Sequence, residues 1–304
     1  MNLLYGIALT LVFYLPSSLL WAVAEGAAIH SPPAQTATCV TKGEWRVPGA
    51  AGVLTEAQVL TQASASRVVL LGEHHDNQAH HDWQLRMLQA LHKRQPALVM
   101  GLEMLPKVVQ PKIDRFLRGD TTLEIFLEEV EWSRYWSFDA AYYTPLLNYA
   151  RDQKIPVVAL NVTREKVDAA VAQGWASAPP GMTPPAQATR PYIRHLVRSF
   201  QRHKLPGAEL ALAVEGPAFQ RFVQKQLLWD RAMAERVYAQ LTSPQHAPLV
   251  VAFIGSGHLM YGYGVPHQLA SLGVDEVMSI IPWDRHLACS SLERGFADVV
   301  YGAE

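Results

Sequence analysis

Two glycine-containing segments of this chain carry residue types that can transfer protons or bind metal ions. Residues 72–75 read Gly-Glu-His-His, and residues 255–258 read Gly-Ser-Gly-His. Glutamate and histidine are common general acids and bases, and both also ligate divalent metals. A further glutamate, Glu103, follows another apolar run. The candidate residues for hydrolytic catalysis are therefore Glu73, His74, Glu103 and His258. Three of them are also candidate ligands of a divalent metal ion, namely His74, Glu103 and His258.

These polar groups follow apolar runs that have the composition of buried strands. The runs are Arg67–Leu71, Ala97–Leu102, Ile155–Leu160 and Leu249–Ile254. Continuous apolar runs separated by helical patterns are typical of a parallel sheet that is covered on both faces. The strands of such a sheet point the same way, and open α/β sheets bind ligands at the carboxyl edge. The side chains that we therefore predict to meet at one rim are Glu73, Glu103, Asn161 and His258.

The order of strands and helices predicts an α/β fold with a mainly parallel central sheet flanked by helices. A core domain is expected over residues 46–163 and 246–304, with a last strand at Val274–Ile281. Residues 164–245 lack a strand pattern but show helical periodicity, so we expect a smaller helical subdomain inserted there. Both ends of the insertion adjoin strands, and this places it above the carboxyl edge of the sheet.

Residues that start helices support the elements predicted between the strands. Thr55 is placed to cap one helix, and Asp76 or Asn77 is placed to cap the next one. In that second helix His81 shares a face with apolar residues and is expected to be partly buried. His80 is expected to face solvent or the crevice at the sheet edge.

The N-terminal segment is apolar over residues 3–24, which predicts an export signal or an uncleaved membrane anchor. Ala22–Ala24 fits the small-residue pattern that precedes a signal-peptidase site. The run is also long enough to span a bilayer. Residues 25–45 are rich in alanine, proline and threonine, and we expect them to form a linker. Export would place the protein in the periplasm or at the cell envelope.

The chain has two cysteines, Cys39 and Cys289. They can form a disulfide in an oxidising compartment, and two free thiols are equally allowed. Lipidation of Cys39 is a third alternative because this cysteine follows the apolar segment. The preceding residues 36–38 nevertheless lack the aliphatic and small residues that usually come before a lipoprotein cysteine.

The overall composition is that of a globular protein with a sizeable core. The chain has 304 residues, of which 49% are hydrophobic and 17% charged, so a disordered protein is excluded. The formal net charge is −1 and no long run of one sign occurs, which argues against a nucleic-acid partner.

Two tyrosines follow the second histidine segment and suggest a different chemistry. Tyr261 and Tyr263 lie within Met260–Pro266, directly after His258. A tyrosinate is a hard anionic oxygen donor that suits ferric haem. A haem site at the crevice would add flat apolar walls and basic side chains for the haem propionates.

Several short motifs together resemble the ChaN-like family of bacterial haem-binding uptake proteins. This family is related to the Tiki proteases and to erythromycin-esterase-like proteins. The matching segments occur in the order of the family and are Leu71–Asn77, Gly101–Met104, Val158–Asn161, Gln226–Ala234, Ile254–His258 and Phe296–Tyr301.

The resemblance implies an exported protein, often a lipoprotein, that binds haem for iron uptake or storage. It implies a homodimer with haems held between subunits, an iron-ligating tyrosine, and a histidine from the other subunit that reaches the propionates. On this basis Tyr261 and Tyr263 are the candidate iron ligands, and His75 and His80 are further candidate haem contacts. An outer-membrane haem receptor is an expected partner system.

Three functions therefore remain as hypotheses from the sequence. The resemblance favours haem binding, whereas the residues by themselves slightly favour a hydrolase that uses glutamate and histidine, with or without a divalent metal. In the third hypothesis the polar groups form a buried structural network that holds the strand ends together.

Overall fold

The computed structural model describes residues 39–202, 216–243 and 249–304, and seven strands in these ranges form one sheet. The strands are β1 (Trp45–Arg46), β2 (Val68–Glu73), β3 (Val99–Pro106), β4 (Val157–Asn161), β5 (Val250–Gly255), β6 (Val277–Pro282) and β7 (Val299–Tyr301). Their order across the sheet is β1-β7-β6-β2-β5-β3-β4. All neighbours pair in parallel except β1 and β7, which are antiparallel. The predicted α/β fold with a mainly parallel sheet is confirmed.

Ten α-helices occur within the described ranges. They are α1 (Glu56–Ala65), α2 (Gln78–Arg94), α3 (Gln110–Leu117), α4 (Leu123–Glu129), α5 (Trp132–Tyr135), α6 (Thr144–Asp152), α7 (Arg164–Gln173), α8 (Arg190–Arg202), α9 (Pro217–Thr242) and α10 (Val265–Ser271). Short 3₁₀ turns add Lys107–Val109, Ala140–Tyr142, Trp175–Ser177, Ser256–His258, Met260–Gly262 and Cys289–Ser291.

The predicted caps start the first two helices. The Thr55 hydroxyl accepts the amide hydrogen of Gln58, while the Gln58 side chain accepts that of Thr55, which completes a capping box. Of the two candidates for the next cap, Asn77 is used, and its side-chain oxygen accepts the amide hydrogens of Ala79 and His80. This cap positions α2 directly after the Gly-Glu-His-His segment.

Both faces of the central strands are buried, as the continuous apolar runs predicted. Along β2, Val69 and Leu71 belong to one core cluster, whereas Val68 and Leu70 belong to the cluster on the other face. A strand alternates its side chains between the two faces of the sheet, so apolar residues at every position need cover on both sides.

The segment between β4 and β5 is helical in its described residues, and its longest helix has two packing roles. The second half of α9 packs onto the sheet through Met233 and Val237. The first half packs against α8, where Phe219 lies in one cluster with Tyr192 and Leu196. The described part of this segment therefore covers one face of the sheet, and its helices α8 and α9 also form an apolar cluster with each other.

Two short strands were not predicted, and they change the role of residues near position 45. Trp45 is buried in β1, and Val40 is buried before it. The predicted linker therefore includes residues that pack against the core, while residues 25–38 lie outside the described ranges. Strands of two or three residues are too short to show a period of two, so no sequence pattern marks them.

A disulfide joins Cys39 to Cys289 across a sequence separation of 250 residues. Of the alternatives left open by the sequence, this bond excludes a free thiol and a lipid thioether on Cys39. In the described ranges we find no helix long and apolar enough to cross a membrane. The predicted signal segment over residues 3–24 lies outside those ranges.

Candidate functional site

Glu73 is a buried carboxylate at the carboxyl end of β2 and has an exposed fraction of 1%. Its Oε1 atom accepts a hydrogen bond of 2.7 Å from the Tyr143 hydroxyl and one of 2.8 Å from His75 Nδ1. Its Oε2 atom lies 3.7 Å from Nδ1 of His81. Burial by itself raises the pKa of Glu73, but the histidine and tyrosine contacts outweigh burial and lower it.

His75 connects Glu73 to the next strand and to an aromatic wall. Its ring lies 4.6 Å from the Trp136 ring and 4.8 Å from the Phe138 ring, measured between centroids. A Cβ atom on Gly255 would lie 2.6 Å from the His75 ring, so only glycine allows β5 to approach it this closely. Burial lowers the pKa of His75, but the carboxylates of Glu73 and Glu103 raise it overall.

Glu103 lies within β3, which continues to Pro106, and links this strand to the ends of β4 and β5. Its Oε2 atom accepts the amide hydrogen of Gly255 at 2.5 Å, and its Oε1 atom lies 3.5 Å from His258 Nε2. The Asn161 side chain donates a hydrogen bond of 3.1 Å to the Glu103 carbonyl oxygen. The structure therefore brings the four strand-end groups predicted to share a rim, including Glu73 through His75, to one edge of the sheet.

His258 is held by a second carboxylate that comes from α9. Its Nδ1 atom donates a hydrogen bond of 2.6 Å to Asp230, and the other oxygen of Asp230 accepts one of 2.6 Å from the Tyr192 hydroxyl. A Cβ atom on Gly264 would lie 2.4 Å from the His258 carbonyl oxygen, so the loop after β5 also requires glycine to close around this pair. Burial lowers the pKa of His258, but Asp230 and Glu103 outweigh it and raise the pKa to about 9.

These shifts determine what the network can do chemically. Asp230 and Glu103 favour the cationic form of His258, and the carboxylates around His75 favour the cationic form of that histidine as well. A general base must offer an unprotonated nitrogen, and the neighbouring carboxylates disfavour that state in both histidines. Hydrolysis by these histidines is therefore not favoured, and the arrangement is that of buried, mutually neutralising charge pairs.

We expect the stability of the protein to fall between pH 6.5 and pH 9 because His258 titrates there. The folded-state pKa lies above the unfolded value of about 6.5, so the stabilisation is complete below pH 6.5 and is lost as pH rises through 9. A shift of this size corresponds to roughly 3 kcal/mol. Urea unfolding at pH 6.5 and pH 9 measures the change.

A His258→Gln variant should show a flatter profile over this pH range. The matched control is His286→Gln, which changes an exposed histidine and should keep the wild-type slope. A wild-type protein with the same free energy of unfolding at both pH values would contradict the assignment of the charge pair.

The other predicted histidines lie around the start of α2. His74 is partly exposed, and its Nε2 atom lies 3.8 Å from Asp284. The expectation that His80 faces solvent or the crevice is wrong, because its exposed fraction is 1%. Its Nδ1 atom accepts the amide hydrogen of His74, and burial together with His74 lowers the pKa of His80 to about 4. His81 is buried as well, and its Nε2 atom binds the His75 carbonyl oxygen.

The two candidate tyrosines lie together in a separate aromatic group. Tyr261 and Tyr263 stack with ring centroids 5.3 Å apart, and His195 of α8 lies 6.0 Å from each of them. Tyr261 has a left-handed backbone with φ of 59° and is half-buried. Tyr263 also contacts the ring of Tyr192 at 5.9 Å. This aromatic group is therefore linked to the charge network through the Tyr192 hydroxyl and Asp230.

Three members of the network were absent from the sequence prediction. Tyr143 lies just before α6 in a segment rich in aromatic residues, and the local sequence does not indicate which of these tyrosines donates a hydrogen bond to the network. Tyr192 occupies the apolar face of α8. Asp230 could have been found, because it interrupts the apolar residues of Gln226–Ala234. The structure shows that it is fully buried.

The divalent-metal alternative finds no support in the geometry. Over residues 39–202, 216–243 and 249–304, no group of three or more histidine, cysteine, aspartate or glutamate side chains is arranged to hold a metal ion. Of the three predicted ligands, Glu103 and His258 are adjacent, whereas His74 contacts Asp284.

Comparison with known proteins agrees with this fold. The family model described as haem-binding uptake, Tiki superfamily, ChaN matches residues 59–269. No curated protein matches the sequence. A solved structure described as cofacial heme binding to ChaN of Campylobacter jejuni superimposes with a TM-score of 0.65 at 17% identity, covering 82% of this chain and 92% of that chain. At this identity the likeness shows a shared fold.

Two further solved structures superimpose with lower TM-scores. An erythromycin esterase mutant, EreC in its open conformation, has a TM-score of 0.45 at 13% identity and covers 78% of this chain and 76% of its own. The C-terminal region of the Pasteurella multocida toxin has a TM-score of 0.44 at 14% identity, covering 77% of this chain and 25% of that chain. The family match extends over more than half of the residues, and the chain therefore belongs to the ChaN family of haem-binding uptake proteins in the Tiki superfamily.

Proposed function

We propose that this protein binds ferric haem and that Tyr261 supplies the iron ligand. The observation that carries this assignment is the backbone of Tyr261, whose φ of 59° is rare for a residue with a side chain. Such strain persists only where the surroundings hold it, and it concentrates at functional sites. Here it is held by a hydrogen bond of 2.8 Å from the Tyr261 amide to the Phe296 carbonyl oxygen and by stacking on Tyr263.

The residues around Tyr261 fit a flat, apolar ligand with a ferric centre. Tyr263, His195 and Phe296 all present rings within 6.0 Å of the Tyr261 ring. Burial raises the pKa of Tyr261, and Glu293 raises it further, so the free protein holds the phenol protonated. A bound ferric haem would supply a Lewis-acidic iron that accepts the phenolate oxygen. The polypeptide would contribute the donor oxygen and the stacking surface.

A Tyr261→Phe variant should bind hemin at least about tenfold more weakly, because even groups that only orient a ligand are worth 10–100-fold in metal affinity. The measurement is an absorbance titration of purified protein with hemin, followed at the Soret band. The matched control is Tyr263→Phe, which keeps a stacking ring beside Tyr261 and should retain most of the affinity. Equal affinity of Tyr261→Phe and wild type would refute the assignment of the ligand.

We further propose that the protein acts outside the cytoplasm in haem or iron uptake or storage. Support comes from the Cys39–Cys289 disulfide, since such bonds persist in oxidising compartments. Fractionation of cells followed by thiol labelling tests this location, and reduced cysteines in a cytoplasmic fraction would count against it. A cleaved signal over residues 1–24 and delivery by an outer-membrane receptor stay predictions.

A homodimer that holds haem between its subunits is our proposal for the loaded state. It is motivated by the family match and by the cofacial arrangement named for the Campylobacter jejuni protein. Light scattering with and without hemin tests it. A monomer at every hemin concentration that saturates the Soret change would exclude this arrangement.

A further inference from the structure

The outward face of α8 carries a row of arginines. Arg190, Arg194 and Arg198 recur every four residues, so they lie along one stripe of the helix, and all three are exposed. The opposite face is buried through Tyr192 and Leu196, which pack against α9. The helix contains no aspartate or glutamate that would neutralise the row.

Within the part of the chain that the structure describes, none of these three arginines takes part in an ion pair. The arginine and lysine ion pairs in these described ranges are formed by residues outside the row. Guanidinium groups match carboxylates and phosphates in a planar, two-pronged geometry. An exposed row of them therefore attracts an anionic ligand or surface.

One end of the row, at Arg198, lies near the proposed iron ligand. His195 of the same helix meets the ring edges of Tyr261 and Tyr263, with centroid distances of 6.0 Å to each. Arg198 follows His195 by three residues and so lies on the same side of the helix. Burial dominates the raised pKa of Tyr261, and the nearby Arg198 guanidinium acts against it by favouring the phenolate.

We propose that Arg198, with Arg194 one turn before it, binds the propionate carboxylates of the porphyrin that Tyr261 ligates through iron. This inference rests on the proposed haem function and adds the group that selects a carboxylate-bearing porphyrin. A porphyrin whose iron is bound by Tyr261 would carry its carboxylates at the ring edge, away from the iron. The Arg198 guanidinium is near Tyr261 and exposed, so it is placed to meet carboxylates at that edge.

Three porphyrins separate the role of Arg198 from that of Tyr261. Hemin has both iron and carboxylates, protoporphyrin IX lacks iron, and hemin dimethyl ester lacks the negative charges. We expect Arg198→Gln to weaken binding of hemin and of protoporphyrin IX by roughly two- to fivefold, as for a single exposed charge pair. Binding of the dimethyl ester should be unchanged. The control is Arg221→Gln, an exposed arginine on α9, which should match wild type for all three ligands.

The outcomes that overturn the inference are distinct from those that overturn the haem assignment. If Arg198→Gln binds hemin and protoporphyrin IX like wild type, or loses the dimethyl ester equally, Arg198 does not bind the carboxylates. The same conclusion holds if the variant loses only its binding to phosphatidylglycerol vesicles, because the row would then serve an anionic membrane. Tyr261→Phe should weaken the binding of hemin and leave the binding of protoporphyrin IX unchanged. If Tyr261 is not the iron ligand, the effect of Arg198→Gln on protoporphyrin IX binding still tests the role of Arg198.

Discussion

An Asp230→Ala variant is expected to lose about 3–5 kcal/mol of unfolding free energy, the cost of leaving a buried charge without its partner. Asp230 is fully buried and accepts hydrogen bonds of 2.6 Å from both His258 and Tyr192. Without the carboxylate, the His258 cation keeps only Glu103, at 3.5 Å, and the Tyr192 hydroxyl is left unpaired. Urea unfolding at pH 7 measures the loss.

Two comparisons identify the cause of the effect. Asp152→Ala removes an exposed carboxylate that pairs with Arg151 at 2.9 Å, and it should cost less than about 1 kcal/mol. The double variant Asp230→Ala, His258→Ala should lose about 1–3 kcal/mol less than the sum of the losses of the two single variants, because both changes break the same contact. Additive losses, or an Asp230→Ala cost below 1 kcal/mol, would show that the charge pair is not the origin of the stability.

Loss of the disulfide is expected to lower the free energy of unfolding by about 2–4 kcal/mol. The bond joins residues 250 positions apart, so it removes a large part of the freedom of the unfolded chain. It also ties the segment before β1 to the loop between β6 and β7, which carries Cys289. The measurement is urea unfolding of wild type with and without dithiothreitol.

The double variant Cys39→Ser, Cys289→Ser provides the control for this experiment. It should unfold at the urea concentration of reduced wild type, and dithiothreitol should not change it. Replacing both cysteines avoids a lone thiol that would form dimers by oxidation. Equal stability of oxidised and reduced wild type would mean that the bond constrains little of the unfolded chain.

The sequence was informative wherever the structural signal is local. The four apolar runs that end in Gly72, Glu103, Asn161 and Gly255 became β2, β3, β4 and β5, because a strand buried on both faces must be apolar at every position. Their common direction then brought the polar groups to one edge without further information. The helix caps at Thr55 and Asn77 are likewise contained in a few consecutive residues.

The sequence did not predict, or predicted wrongly, the features that depend on contacts between distant segments. The burial of His80 depends on how the start of α2 lies against the sheet, and no helical period distinguishes a covered polar residue from an exposed one. The short edge strand β1 forms by pairing with β7, which lies more than two hundred residues away in the chain, and β7 in turn pairs with β6.

By itself, the sequence determined a mainly parallel α/β sheet and the convergence of its polar strand ends, because both follow from short-range patterns of apolar residues. Only the tertiary structure decided that Asp230 and Tyr143 complete the charge network, since each comes from outside the strands and is brought in by packing. The same packing raises the pKa of His258 to about 9, because it places Asp230 and Glu103 beside the ring, and these two carboxylates outweigh the opposing effect of burial. Charge states of buried groups depend on neighbours in space, and those neighbours are distant in the chain.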